Sequence, residues 1–171
     1  RSGAVAERTP AIAIIGGGIA GLTAAATLRK IGLHARIYEQ AEAFARIGAG
    51  IQMNPNAMKV LRGLGLEERI RSVGFAPEVG YNREWDSGEV TYLHPMGGAI
   101  ERRFGAPDIS LHRAELHAAL MSINPTRSVH FNKKLVALDR AGGRLRLAFA
   151  DGTAVEADAV IGADGVHSTV L

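Results

Sequence analysis

The sequence predicts an α/β fold: a parallel sheet with helices, a β-meander, and an antiparallel insertion between them. Three observations carry that expectation. A short apolar run, Ala11 to Ile15, passes through Gly16-Gly17-Gly18 into a stretch rich in Ala and Leu. A second strand-like run, Ala35 to Glu39, follows that stretch and completes a βαβ unit, which makes the two strands parallel. Between residues 79 and 105, and again after residue 128, the texture changes to alternating segments divided by polar turns.

Taken in order, Ala11 to Ile15 has no polar face, as a strand buried on both sides requires. Ile19 to Ile31 is read as a helix closed by Gly32, and Ala35 to Glu39 as the second strand. Asn54-Pro55 is a helix start, an N-cap followed by Pro at the first helical position, for a helix running to about Leu64. Glu67 to Val73 adds a shorter helix. VGYNREW and EVTYLH, joined by Asp86-Ser87-Gly88, read as a β-hairpin that gathers Tyr81, Trp85 and Tyr92. Those aromatics either pack one sheet face or line a pocket for an aromatic ligand. Ser110 to Ile123 is expected to be helical and to stop at Asn124-Pro125. Strands SVHF, KLVALD, RLRLAFA and TAVEADAVIGA follow; Leu145, Leu147 and Phe149 alternate with polar or small residues as in a half-buried strand. The expected organisation is a leader or cloning remnant over 1–10, a domain of 11–78 with 106–171, and a hairpin insertion at 79–105.

The glycines explain themselves by what they permit. Gly16-Gly17-Gly18-Ile19-Ala20-Gly21 fits GxGxxG between a strand and a helix. In that context the first glycine allows the turn, Gly18 lets backbone approach a pyrophosphate, and Gly21 lets the helix pack on the sheet. Unpaired N–H groups at the helix start favour the anion. Glu39, 18 residues after Gly21, is placed to accept hydrogen bonds from both ribose hydroxyls of an adenosine without a 2′-phosphate. A second glycine motif, Gly162-Ala163-Asp164-Gly165, follows the apolar run Ala159 to Ile161, at the strand end where α/β ligands bind.

GADGVHSTVL resembles the second fingerprint, GADGxxSxVR, of the class A FAD-dependent aromatic-ring hydroxylases, which have the p-hydroxybenzoate hydroxylase fold; Leu171 stands where that family usually has Arg. The resemblance extends over nearly the whole chain. ARIGAGIQMNPNAMKVLRGLGL is similar to the family segment after the ribose acid, SLHRAELHAAL to the segment whose Arg reaches the FAD phosphates, and FNKKLVALD to a strand touching adenine through its backbone. With IGAGI, WDSGEV and HRAELH, it most resembles the 6-hydroxynicotinate 3-monooxygenase and salicylate hydroxylase group. The resemblance implies a Rossmann-like FAD-binding domain whose insertion begins a substrate layer. It implies FAD contacts at Gly16, Gly18, Ile19, Ala20, Gly21, Glu39, Gln40, Arg46, Gly50, Ile51, Arg113, Val136, Asp164 and Gly165. It further implies that NADH or NADPH reduces the flavin, which then uses O2 to hydroxylate a small aromatic acid or hydroxypyridine. The chemistry belongs to the cofactor, so no residue of this stretch is named as catalytic. Because AVIGADGVHSTVL ends at a helix start, the chain is expected to be the N-terminal part of a longer protein and inactive alone.

Composition excludes several other functions. The 171 residues contain no cysteine, which removes disulfides, thiolate metal ligands and a cysteine nucleophile. A net charge of +3 without a basic stripe argues against nucleic acid. No apolar run approaches the roughly 20 residues that span a bilayer, so the expected location is the cytoplasm. His112 and His117 are five apart, not the spacing that sets two ligands on one helical face, and no metal is expected. His167 reads as a solvated residue beside the second glycine motif. Three alternatives stay open: the NAD domain of a dehydrogenase, against which GADG argues; another flavoenzyme of this fold, such as an epoxidase, halogenase or reductase; and a fragment that only binds nucleotide.

Overall fold

The computed structural model describes residues 9–44 and 49–170. In chain order the elements are β1 (Ile12–Ile15), α1 (Ile19–Lys30), β2 (Ala35–Tyr38), β3 (Gly50–Met53), α2 (Pro55–Gly63), α3 (Glu67–Val73), β4 (Val79–Arg83) and β5 (Val90–Pro95). There follow α4 (Gly98–Phe104), β6 (Ile109–His112), α5 (Arg113–Ser122), β7 (Val129–His130), β8 (Leu135–Ala141), β9 (Arg144–Phe149), β10 (Ala154–Ala157) and β11 (Ala159–Gly162). The chain divides into two compact units, Arg1–Ala45 with Leu120–Leu171, and Arg46–Ala119.

The first unit is built on a parallel sheet of order β11-β1-β2-β7. β1 lies between two neighbours and every one of its residues is buried, which is why Ile12 to Ile15 reads as an unbroken apolar run. α1 turns Gly21, Leu22, Ala25 and Ala26 inward; three of these are small, so the helix can lie close to its support. A separate antiparallel sheet, β10-β9-β8, supplies Leu135, Leu147, Phe149 and Ala157 to a core shared with Ala13, Ile15 and Tyr38 from β1 and β2. Leu147 and Phe149 are buried and Leu145 is partly so, as the alternation requires.

Two strand readings change here. TAVEADAVIGA is not one strand: β10 and β11 belong to different sheets, and Asp158 forms the corner between them. The Ala11 N–H donates to Asp158 Oδ2 at 2.7 Å, and the Asp158 N–H donates back to the Ala11 carbonyl at 2.8 Å. SVHF contracts to the two residues of β7, an edge strand beside β2.

The second unit holds two antiparallel ribbons, β3-β6 and β4-β5, with α2, α3 and α4. β4 and β5 form the expected hairpin, with a register shift between Asn82 and Arg83. The expected helix from Ser110 is corrected: residues 109–112 are β6, and α5 begins at Arg113. Ile109 and Leu111 are buried while Ser110 and His112 face outward, a period of two rather than 3.6. α4 lies inside the stretch read as a hairpin insertion and has no buried residue. Glu67 ties the helices together: its carboxylate accepts hydrogen bonds from Arg62 and, at 2.9 Å, from Arg71, which also reaches Glu101 on α4 at 2.5 Å. The Arg62 hydrogen bond, helped by Arg71, holds the Glu67 carboxyl down at about 2. Among the described residues no helix is long and apolar enough to cross a membrane.

Candidate nucleotide-binding site

β1 ends at Ile15 and hands the chain to Gly16, whose φ of +102° places it outside the range that side-chain-bearing residues favour. A Cβ on Gly16 would also lie 2.3 Å from the Ala163 carbonyl oxygen. Its N–H donates to the Tyr38 carbonyl at 2.9 Å, which ties the loop to the end of β2. At Gly21 a Cβ would stand 1.9 Å from the Gly16 carbonyl oxygen and 3.2 Å from Ile14 Cγ2. Helix and loop therefore touch backbone to backbone, and only glycine fits. Gly18, the N-cap of α1, has the opposite character. A Cβ there would meet nothing within 4 Å, and no side chain caps the helix.

The open side of Gly18 thus adjoins the N–H groups of Ile19, Ala20 and Gly21, which have no intrahelical acceptor. α1 carries no acidic residue in its first turn. Donors without an intrahelical acceptor and the positive end of the helix dipole make this corner suited to an anion.

Glu39 follows β2 and does more than the sequence revealed. Its Oε2 accepts the Gly17 N–H at 2.7 Å and its Oε1 accepts the Ala41 N–H at 2.8 Å. The carboxylate is therefore a strut for the glycine loop. A carboxylate offers about four lone-pair sites, so each oxygen keeps one for another donor. Gly17 is closed in by Phe44 as well: a Cβ there would lie 2.8 Å from the Phe44 ring, itself edge-on to Phe131. Neither Phe44 nor the Gly17–Glu39 bond was foreseen, because nothing periodic marks a contact made through a loop. Gln40 stands exposed beside Glu39.

The second glycine motif meets the first. β11 pairs with β1 in parallel, and the Ala163 N–H donates to the Ile15 carbonyl at 2.8 Å, so residues 163–165 lie beside Gly16. From β1 the chain proceeds to β2 on one side, and β11 returns on the other, which makes the carboxyl end of β1 a topological switch point. Asp164 organises its own turn by accepting from the Ser168 hydroxyl at 2.6 Å and the Thr169 N–H at 2.7 Å. Burial pushes its carboxyl up, but these hydrogen bonds outweigh that and hold it below the usual range. Gly165 follows at φ +80°, exposed. Val136 occupies the register shift of β8, where Leu135 faces Phe149 and Ala137 faces Ala148; as the extra residue of a bulge, its backbone lies outside the ladder.

The remaining expected residues lie in the second unit. Gly50 and Ile51 belong to β3, where they pair with His112 and Leu111. Arg113 opens α5 exposed, its N–H bonded to the Ala49 carbonyl at 3.0 Å. Arg46 lies outside the described residues. His112 Nδ1 accepts the Ala114 N–H at 3.2 Å, and among the described residues no three metal-ligating side chains cluster.

Residues 8–171 match the FAD binding domain family. The chain belongs to that family. A 6-hydroxynicotinate 3-monooxygenase of Bordetella bronchiseptica is 42% identical over 159 residues, covering 93% of this chain and 42% of the relative. A 3-amino-4-hydroxybenzoate 2-monooxygenase of Streptomyces cremeus is 41% identical, covering 96% of this chain and 42% of the relative. Among solved structures, Klebsiella pneumoniae HpxO complexed with FAD and uric acid superposes with a TM-score of 0.82 at 29% identity, over 94% of this chain and 40% of that one. The 2,6-dihydroxypyridine-3-hydroxylase of Arthrobacter nicotinovorans gives a TM-score of 0.79 at 29% identity, over 95% of this chain and 39% of that one. This FAD binding domain therefore spans about 42% of the curated relatives it matches. Both glycine motifs fall within the family match.

Proposed function

We propose that this chain is the FAD-binding part of a monooxygenase that hydroxylates a small aromatic acid or hydroxypyridine with O2, in the cytoplasm, using NADH or NADPH as reductant. The observation that carries the reading is the meeting of two glycine motifs at the carboxyl ends of β1 and β11, with Glu39 bracing Gly17. The relatives support the reaction class, since their names are those of monooxygenases of 6-hydroxynicotinate and 3-amino-4-hydroxybenzoate.

The residues fit the cofactor. Gly18 presents an open face to a pyrophosphate beside the N–H groups of Ile19, Ala20 and Gly21 at the helix start, and Glu39 keeps acceptor sites for ribose hydroxyls. The Val136 bulge leaves backbone outside the ladder for an adenine edge, and Gln40 follows Glu39, whose carbonyl accepts the Lys133 N–H just before β8. Asp164 and Gly165 frame the turn beside Gly16 for the ribityl side. Arg113 is assigned to phosphate, Arg46 to the neighbourhood of the cofactor, and Gly50 and Ile51 to the flavin ring, and residues 79–105 to the start of a substrate layer set in a domain of 11–78 with 106–171. FAD, when bound, supplies the redox and oxygen chemistry; the chain's part is to hold and orient it.

Substrate-stimulated oxidation of NADH and NADPH by the full-length polypeptide, with product analysis on salicylate, 3-hydroxybenzoate and 6-hydroxynicotinate, tests the reading. A yellow protein yielding a product with one more ring hydroxyl is expected. A colourless protein that leaves all three unchanged contradicts it.

A further inference from the structure

We propose a second anion site in the first unit, at the end of the parallel sheet away from the glycine loop, taking a small phosphate-bearing ligand. A cavity of about 400 Å³ opens between the last turn of α1, the start of β2 and the turn before β7. Arg29, His34, Arg36 and Arg127 line it, and among the described residues that line it none is a carboxylate. The volume lies in the range of small-ligand pockets, about 300–1,000 Å³.

The cations come from three separate segments, so their convergence is a property of the fold and not of a local charge run. Arg29 sits in the last turn of α1, where a cation answers the negative end of the helix dipole, and it donates to the Ile123 carbonyl. That accounts for Arg29 without a ligand. It does not account for Arg36 on β2 or Arg127 before β7. Both are exposed, and neither forms an ion pair among the described residues. Glu156, which shares a neighbouring cavity with Arg36, is held by Arg144 at 2.9 Å.

The wall is fixed as well as charged. Asn124 is 7% exposed, and its amide donates to the Leu22 carbonyl at 3.0 Å and the Leu120 carbonyl at 2.9 Å. Three arginines lining a common space repel one another unless an anion lies between them, and the planar fork of a guanidinium matches phosphate oxygens. Ala25, Ala35 and Pro125 give the cavity an apolar share, so the ligand is a phosphate carried on a small organic body. The site is separate from that of FAD: the 12 residues of α1 lie between the glycine loop and this end of the helix, a length of about 18 Å.

Calorimetric titration of the FAD-loaded full-length protein with inorganic pyrophosphate tests the proposal. Saturable binding is expected without release of flavin, weakened at least tenfold in Arg36→Glu/Arg127→Glu while the flavin spectrum and melting temperature hold. If the double variant does not fold, Arg127→Gln alone is expected to weaken binding and Arg127→Lys to restore part of it. Affinity unchanged in the charge variants, no saturable binding, or flavin displaced in step with pyrophosphate bound each overturns it.

Discussion

Replacing Glu39 by Gln separates the two tasks assigned to that carboxylate. In the structure one oxygen accepts the Gly17 N–H at 2.7 Å and the other the Ala41 N–H at 2.8 Å. Gln keeps the shape but supplies one oxygen and one NH2, so one of those amides faces a donor. A hydrogen bond to a charged group contributes about 1.5–3 kcal/mol, and about 2 kcal/mol suits this half-buried site. At about 2–4 °C per kcal/mol for a chain of this size, the apo protein should melt about 4–8 °C lower. FAD affinity should fall as well, because the ribose hydroxyls lose a charged acceptor; about 1.5–3 kcal/mol corresponds to roughly a ten- to hundredfold rise in Kd. Calorimetry of the apo protein and titration of flavin fluorescence read the two effects independently. A lowered melting temperature with unchanged FAD affinity would reduce Glu39 to a loop strut. No change in either quantity would refute the geometry itself.

Gly21→Ala places a methyl 1.9 Å from the Gly16 carbonyl oxygen, and the forced shift of α1 should cost about 3 kcal/mol, seen as an early denaturant midpoint. Gly18→Ala meets nothing within 4 Å, so it should leave apo stability within about 1 kcal/mol while weakening FAD, and an early midpoint there would contradict the open-face reading. Arg113→Ala should lower flavin occupancy without moving the apo melting temperature; a fall in apo stability would make Arg113 structural. Glu67→Gln should destabilise the protein by about 1 kcal/mol at pH 7. Because the folded-state pKa of Glu67 is depressed to about 2 from 4.5, that contribution is fully present above 4.5 and fades as pH falls toward 2. The gap between wild type and variant in denaturation curves should close over that window.

The parts of the fold that could be read in advance are those where one residue pattern has one structural meaning. β1 is buried on both faces and reads as a continuous apolar run; Gly16 and Gly21 are forced by backbone clashes that any side chain would create. β6 was misread because Ile109 and Leu111 alternate for only four residues before Leu116 and Leu120 begin the helical period, and short apolar runs do not separate strand from helix. α4 left no trace, since it buries nothing and so carries no apolar stripe. The corner at Asp158 was invisible because β10 and β11 are separated by that single residue, and only the pairing of each strand shows that they part. Within the site the glycine loop and Glu39 after β2 were legible as a spacing. The bond from Gly17 to Glu39 and the press of Phe44 on Gly17 depend on where a loop folds back, which no local periodicity encodes.

The most direct test of the central claim is a crystal structure of the full-length protein with FAD bound. The account predicts the pyrophosphate over the open face of Gly18 at the start of α1, the adenosine ribose hydroxyls donating to Glu39, and the ribityl chain along the Asp164-Gly165 turn. FAD held elsewhere, or a ribose turned away from Glu39 with the Gly17–Glu39 bond intact, would contradict it.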